Sequence, residues 1–203
     1  MADPAYIVDG VLTDGEAWVA LNSTTLGSDT ATVTFKSGFD DTDTDVGGVQ
    51  AWDQYMDLVL ISYFKGSGTS SWDNGYIYLG TGGAAVDTTN ANYHIQMLLG
   101  DGSAVEALAI AYPWLIRGTG TVSANTNVFA VNVCHMFDIN SGKYKSVVVQ
   151  EAADIDGAGH TGLIAGVWKN QGAIDRMQLS PNTGNFKQYS RFDLFGVLPR
   201  MVA

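Results

Sequence analysis

Carboxylates in two acidic loops are the residues of this sequence best suited to bind a ligand. Asp40-Asp-Thr-Asp-Thr-Asp45 alternates aspartate with threonine, and Asp154-Ile-Asp-Gly157 is a shorter version of the same pattern. Carboxylate oxygens are ligands that Ca²⁺ prefers in proteins. The longer loop departs from an EF-hand, because Gly47 comes one position late and the twelfth position, counted from Asp41, is Trp52 instead of Glu. We therefore expect solvated acidic loops without a metal, with a Ca²⁺ site as the alternative.

Histidine, cysteine and serine form no catalytic or zinc-binding motif. Cys134 and His135 are neighbours that would point to opposite faces of a strand, and His94 and His160 have no ligand partner at a useful spacing. There is no Gly-x-Ser-x-Gly elbow, phosphate loop or dinucleotide fingerprint. The single Cys134 lies in an apolar run, which predicts a buried thiol. We expect no enzyme activity and no cofactor, with paired carboxylates for sugar hydrolysis left open.

Aromatic side chains beside Asp and Asn are a second candidate ligand site. Trp72, Tyr76 and Trp114, together with Trp52 and Tyr112, are predicted at strand edges or in loops. Exposed rings there could stack on sugars while the polar neighbours bind hydroxyl groups. The alternative is that these rings fill the core or a subunit interface, where Trp and Tyr are enriched. We favour this alternative and keep Trp72, Tyr76 and Trp114 as candidate glycan contacts.

Short apolar segments separated by turn residues must position these side chains. Tyr55–Phe64 is the strongest strand, and its nearly continuous apolar, β-branched and aromatic content predicts a central position. Val128–Asp138 and Lys143–Gln150 predict a hairpin closed by Asn140-Ser-Gly142, and Asn74-Gly75 predicts a tight turn into the following strand.

The whole chain predicts an all-β fold built from about 10–12 short antiparallel strands. A chain of 203 residues without an interdomain linker fits one domain, a β-sandwich of jelly-roll type. Its 18 aspartates and 24 glycines favour turns over helices. We assign residues 1–15 to an N-terminal arm, 16–197 to the sandwich and 198–203 to a C-terminal tail.

The last part of the chain carries the densest strand signal. Three apolar segments, Gly162–Trp168, Ala173–Leu179 and Ser190–Val197, are separated by polar turns. Ser180-Pro-Asn-Thr-Gly-Asn185 places Pro where a turn needs a fixed φ and Gly where φ can be positive. This pattern predicts a β-meander whose final strand pairs with an earlier part of the chain.

The same segment resembles a pattern in structural proteins of tailed-phage virions. The residues that carry the resemblance are Trp168, Ala173, Ile174, Leu179, Gly184, Asn185, Phe186, Ser190, Leu194, Phe195, Gly196 and Val197. Trp52–Tyr63 and Asn92–Gly100 are similar to the matching early strands, whereas Tyr189 departs from the small residue expected before Ser190. The resemblance implies a jelly-roll or related β-sandwich module, a place in the virion, and no catalytic residues.

The final strand and the tail suggest a contact with another chain. Phe195 and Val197 are expected on the face of the strand opposite Phe192 and Leu194, so that both faces are apolar. An apolar tail is a liability when exposed. We therefore predict a subunit or capsid interface, with the tail packing back on its own domain as the alternative. The predicted interface residues are Phe195, Val197, Leu198, Met201 and Val202.

Charge and hydropathy limit the partners. The net charge of −11 and the pI near 4.3 argue against nucleic acid and anionic membranes. The longest apolar run, 104–116, contains Glu106 and Pro113 and is too short to span a bilayer. The N-terminal Met-Ala-Asp-Pro lacks the features of a signal peptide, so we expect synthesis in the host cytoplasm without processing.

Together these observations predict a non-enzymatic phage virion protein. The first expectation is a capsid decoration (cement) protein that binds the outside of the major capsid shell as a homotrimer. The alternative is a carbohydrate-binding module on the tail or on head fibres, which would attach the virion to a host polysaccharide.

Overall fold

The computed structural model describes residues 7–8, 11–12, 18–38, 51–83, 85–120, 127–155 and 159–198. These residues form fourteen strands and two short 3₁₀ turns, Trp52–Gln54 and Asn90–Asn92. The strands are β1 (Ile7–Val8), β2 (Val11–Leu12), β3 (Trp18–Thr25), β4 (Val33–Lys36), β5 (Asp57–Phe64), β6 (Trp72–Gly80), β7 (Tyr93–Gly100), β8 (Val105–Ile110), β9 (Trp114–Thr119), β10 (Ala130–Phe137), β11 (Lys145–Asp154), β12 (Gly159–Trp168), β13 (Arg176–Pro181) and β14 (Arg191–Val197). Within this described part, no helix has the length and hydropathy needed to cross a bilayer.

Twelve of the strands form two antiparallel sheets with jelly-roll connectivity. The larger sheet has the order β3-β14-β5-β10-β11-β12-β7-β8, and the smaller sheet has the order β4-β13-β6-β9. Each strand of the smaller sheet is preceded and followed along the chain by a strand of the larger sheet, so the chain crosses between the sheets eight times, as in a double Greek key with an inserted hairpin β7-β8 and the added strands β11 and β12. Strands β11, β12, β7 and β8 extend the larger sheet. The prediction of an all-β, single-domain jelly-roll sandwich is confirmed.

Aromatic rings fill the core between the sheets. Phe64 on β5 lies 5.2 Å from Phe186 and 6.0 Å from Phe192 between ring centroids, and all three side chains are buried. The smaller sheet makes room for Phe64 with glycine, because a Cβ atom at Gly118 would lie 2.2 Å from the ring and one at Gly75 would lie 3.2 Å from it. The two glycines therefore allow the smaller sheet to lie close to the Phe64 ring at this point.

Two local predictions are wrong. Asn74-Gly75 is not a turn, because it lies inside β6, where a β-bulge against β9 falls between Gly75 and Tyr76. The C-terminal segments do not form a meander: β12 and β14 belong to the larger sheet without being neighbours, and β13 belongs to the smaller sheet. Turn residues mark where the chain reverses, but they do not specify whether the next strand joins the same sheet or the opposite one.

Other strand predictions are confirmed. Strand β5 lies inside the larger sheet between β14 and β10, and β10 and β11 form the predicted hairpin. The final strand β14 pairs with the earlier strands β3 and β5. Phe192 and Leu194 point into the core, whereas Phe195 and Val197 are half-buried on the opposite face.

Candidate functional site

The most unusual surface is the face of the eight-stranded sheet turned away from the smaller sheet, which we call the outer face. Its side chains alternate with the core residues of each strand, and several large apolar ones are exposed, among them Val105 by 75%, Leu98 by 52%, Leu163 by 49% and Val131 by 42%. An antiparallel sheet with one face in water normally alternates apolar residues inside with polar residues outside. The outer face does not follow this rule.

A groove of about 610 Å³ runs across this part of the outer face. One cross-strand row of its lining joins five strands through Val131, Ala152, Thr161, Gly100 and Val105. The three middle residues of the row are small and the two end residues are valines, so the row is low in the centre and raised at the ends. In the next row, Leu163 lies directly opposite Leu98 and forms one wall. The groove therefore forms because small side chains lie between larger ones in a row to which each of five strands contributes one residue.

Phe195 and Val197, two of the predicted interface residues, also lie on the outer face, nearer the edge formed by β3. Phe195 contacts Trp18, with 5.9 Å between ring centroids, and Trp18 is itself 46% exposed. Val59 is fully buried although it faces outward, because it lies between Phe195 on β14 and His135 on β10. Apolar surface on the outer face thus extends well beyond the groove.

Leu198 is the only residue of the predicted C-terminal tail that the structure describes. Leu198, predicted at an interface, is 8% exposed and belongs to the core cluster, so this residue packs back on its own domain. Leu198 continues the inward-facing series Phe192, Leu194 and Gly196 of β14 by one position, so strand alternation accounts for its burial. Met201 and Val202 lie outside the described residues.

The predicted aromatic site is divided into two places. Tyr76 and Trp114 are brought together in a row of half-buried rings on the smaller sheet, in which Tyr76 stacks on Tyr78 at 5.5 Å and on Tyr112 at 6.4 Å, and Tyr112 contacts Trp114 at 4.8 Å. Trp72 lies elsewhere, at the start of β6.

Trp52, grouped with these residues by sequence, is buried in the core at the first 3₁₀ turn. Its position before a short polar segment resembles that of a loop residue, and only the tertiary contacts reveal that it points inward.

A buried polar cluster was not predicted from the sequence. Arg117 on β9, Glu151 on β11 and His160 on β12 are all at least nine-tenths buried. The Arg117 Nε atom lies 3.8 Å from Glu151 Oε1 and donates a hydrogen bond of 3.1 Å to Asn74 Oδ1. The ring of Trp72 lies 5.5 Å from the Arg117 guanidinium carbon and meets the His160 ring edge-on at 6.3 Å.

Burial controls the protonation of this cluster. Burial raises the pKa of Glu151 to about 7, although the positive charge of Arg117 acts in the opposite direction. Burial, together with Arg117, lowers the pKa of His160 to about 4. The cluster therefore contains a carboxyl group that exchanges its proton near neutrality and an imidazole that stays neutral there.

The two acidic loops lie mostly outside the residues that the structure describes. Residues 40–45 and Asp156 lie outside the described residues. Within the described ranges, no group of three or more His, Cys, Asp or Glu side chains is placed to hold a metal ion. Cys134 is buried as predicted, and burial raises the pKa of its thiol.

No protein-family model, curated protein or solved structure matches this chain. Its function must therefore be inferred from the outer face, the aromatic row and the polar cluster themselves.

Proposed function

We propose that this protein is a non-enzymatic structural component of a tailed-phage virion, and that it decorates the capsid by docking its outer face on the shell. The resemblance of residues 168–197 to virion proteins supports the choice of particle. The jelly-roll fold is compatible with this role, since viral capsid domains use the same architecture. The proposal includes assembly as a trimer around a three-fold position of the major capsid protein lattice.

The observation that carries the proposal is the apolar outer face. Val105, Leu98, Leu163 and Val131 expose large side chains in adjacent rows, and Phe195 and Trp18 continue the apolar surface. Large exposed apolar patches mark interaction surfaces, because covering them removes apolar area from water. One chain in contact with several shell subunits gains avidity from each contact, which is how a small protein can stabilise a shell.

A double substitution on the groove wall tests the proposal. We expect Leu98→Asn/Leu163→Asn to weaken binding to shells of the same phage by more than tenfold, because both side chains would lie at the centre of the buried patch. Co-sedimentation of purified protein with shells measures the binding. Thr32→Asn, an exposed position directly before β4 of the smaller sheet, is the matched control and should bind like the wild type.

Both variants should melt at the wild-type temperature, since the substituted side chains are exposed. Equal binding of the groove variant and the control would contradict docking through the outer face. Density for the protein at the three-fold positions of a virion reconstruction is expected, and density confined to the tail would contradict capsid decoration.

A specific observation also favours a second candidate, a carbohydrate-binding module for host attachment. The aromatic row of Tyr78, Tyr76, Tyr112 and Trp114 is half-exposed, and the Tyr76 hydroxyl is hydrogen-bonded to Asn182. Stacked rings cover part of one another's faces, so a sugar would meet ring edges, hydroxyl groups and the end of the row. The row offers a sugar less open ring surface than a flat aromatic platform would, so we expect any glycan binding to be weak.

Removal of one ring tests the second candidate. If the row binds a host polysaccharide, Tyr112→Ala should reduce the affinity by at least tenfold, because this residue links Tyr76 to Trp114. Calorimetric titration with purified host polysaccharide measures the affinity. Tyr144→Ala, an exposed tyrosine before β11, is the control. Absence of binding by the wild-type protein would exclude this function.

A further inference from the structure

We propose that Glu151 is a proton-binding site between the two sheets, and that its protonation state controls the packing of β9 against the larger sheet. The inference is independent of the virion proposal. It rests on the position of one carboxyl group, on the groups that face it, and on the hydrogen bonds that it lacks.

Arg117 joins the two sheets at this point. Its backbone N–H donates to Asn132 Oδ1 on β10 at 2.9 Å, and its carbonyl oxygen accepts from Asn132 Nδ2 at 3.1 Å. The Asn132 side chain thus pairs with β9 much as a neighbouring strand would. These two bonds fix the backbone of Arg117, so the guanidinium is directed toward the inner side of β11 and β12.

Glu151 is buried with little compensation. Its side chain is fully inaccessible, and neither carboxyl oxygen has a hydrogen-bond partner among the described residues. The nearest opposite charge, Arg117 Nε, lies 3.8 Å from Oε1, which is beyond hydrogen-bond distance. That Nε–H already donates to Asn74, and Nη2 lies 3.7 Å from the sulfur of Met97. An ionised Glu151 would therefore be a buried charge with only a distant counter-ion.

Glycine provides the space for this carboxyl group. A Cβ atom at Gly162 on the adjacent strand would lie 2.7 Å from Glu151 Oε1. The site is therefore shaped around Glu151, and the neutral carboxylic acid fits it without the desolvation cost of a charge.

The other groups that face the cluster do not compensate an ionised Glu151. The charged and polar groups contributed by the surrounding elements are Asn74 and Trp72 on β6, Met97 on β7, Asp101 after β7, Glu106 on β8, Arg117 on β9, Asn132 on β10 and His160 on β12. The Glu106 carboxylate also interacts electrostatically with Arg117, and the Asp101 carboxylate accepts hydrogen bonds from Ser103 and Ala104, so neither adds a positive charge near Glu151. His160 is held neutral, so it adds no positive charge.

A small cavity connects the cluster to the surface. It has a volume of about 30 Å³, enough for one water molecule, and His160, Arg117, Glu106 and Trp72 are among its lining residues. The cavity can therefore hold water beside Arg117 and His160, the two neighbours of Glu151 in the cluster.

Carbon-13 NMR of the glutamate carboxyl groups tests the proposal. The full chain contains only three glutamates, Glu16, Glu106 and Glu151, so labelled glutamate gives three carboxyl signals. We expect one signal to titrate near pH 7, with proton affinity about 300-fold above that of an ordinary glutamate. This signal should be absent from Glu151→Gln and present in Glu106→Gln.

Titration of all three signals at the ordinary value would overturn the proposal, as would loss of the shifted signal in Glu106→Gln alone. If Glu151→Gln does not fold, Glu106→Gln and Glu16→Gln assign the two remaining signals and identify Glu151 by elimination.

Discussion

Replacement of Arg117 by Met is expected to lower the free energy of unfolding by about 3–5 kcal/mol at pH 8.5, and by clearly less at pH 5. At pH 8.5 Glu151 is ionised, so loss of the Arg117 charge either leaves an uncompensated carboxylate between the sheets or forces the carboxyl group to take up a proton, and both cost free energy at this pH. At pH 5 Glu151 is protonated, so the variant mainly loses the hydrogen bond to Asn74. Urea unfolding monitored by tryptophan fluorescence at both pH values measures the difference.

The Glu151→Gln background provides the control. A neutral amide at position 151 does not need a counter-ion, so Arg117→Met should cost a similar free energy at pH 5 and at pH 8.5 in that background. A cost in the wild-type background that does not change with pH would show that Arg117 acts only through packing and through its bond to Asn74.

The sign of the pH dependence follows from the two shifted groups. Because the pKa of Glu151 is raised from 4.5 to about 7, its contribution to stability is fully present below pH 4.5 and is lost as pH rises through 7. Because the pKa of His160 is lowered from 6.5 to about 4, its contribution is present above pH 6.5 and is lost as pH falls through 4. Each amounts to about 3 kcal/mol.

These opposite slopes cancel between about pH 4.5 and 6.5, so the wild-type protein should show little pH dependence there from this cluster. His160→Gln removes the rise in stability with pH that is due to His160 and leaves the fall that is due to Glu151. Its free energy of unfolding should therefore fall steadily from pH 4.5 to pH 7, measured in the same urea series as Arg117→Met. Wild-type stability that changes steeply between pH 4.5 and 6.5 would contradict this cancellation.

Local sequence patterns were sufficient to predict the fold class. Alternation along β7 and β10, and the turn residues of the β10–β11 hairpin, fix strand positions without any knowledge of their partners. The sheet assignment of β12, β13 and β14 was not predictable in this way, because it depends on which distant strands remain unpaired. The predicted meander failed for this reason.

The candidate sites depend on contacts between distant strands. The groove is a cross-strand row, and its central residues Ala152, Thr161 and Gly100 are individually unremarkable small residues. Glu151 did carry a local signal, since it continues the inward-facing series Val147 and Val149 of β11. A charge in an inward-facing position predicts a buried ionisable group, but its partners Arg117 and His160 come from other strands and could not be identified from spacing.

The largest effect in the core is expected at Phe64, where two glycines restrict how the surroundings can adjust. The fully buried ring contacts Phe186 and Phe192, which are themselves 4.9 Å apart. Its opposite side rests on Gly118 and Gly75, which have no side chains that could move into a cavity. Collapse after truncation is therefore limited, and the cost should lie in the upper part of the range for large-to-small substitutions.

Phe64→Ala should accordingly reduce the free energy of unfolding by about 4–5 kcal/mol, measured by urea denaturation. Tyr63→Ala, the exposed neighbour on the same strand, is the control and should cost about 1 kcal/mol or less. Gly118→Ala should destabilise the wild type by about 1–3 kcal/mol, because the added methyl group meets the ring, yet it should be neutral or stabilising in Phe64→Ala, where it fills the vacated space. Additive costs in the double variant would mean that Gly118 is required for the conformation of β9 and not for the close approach of Phe64.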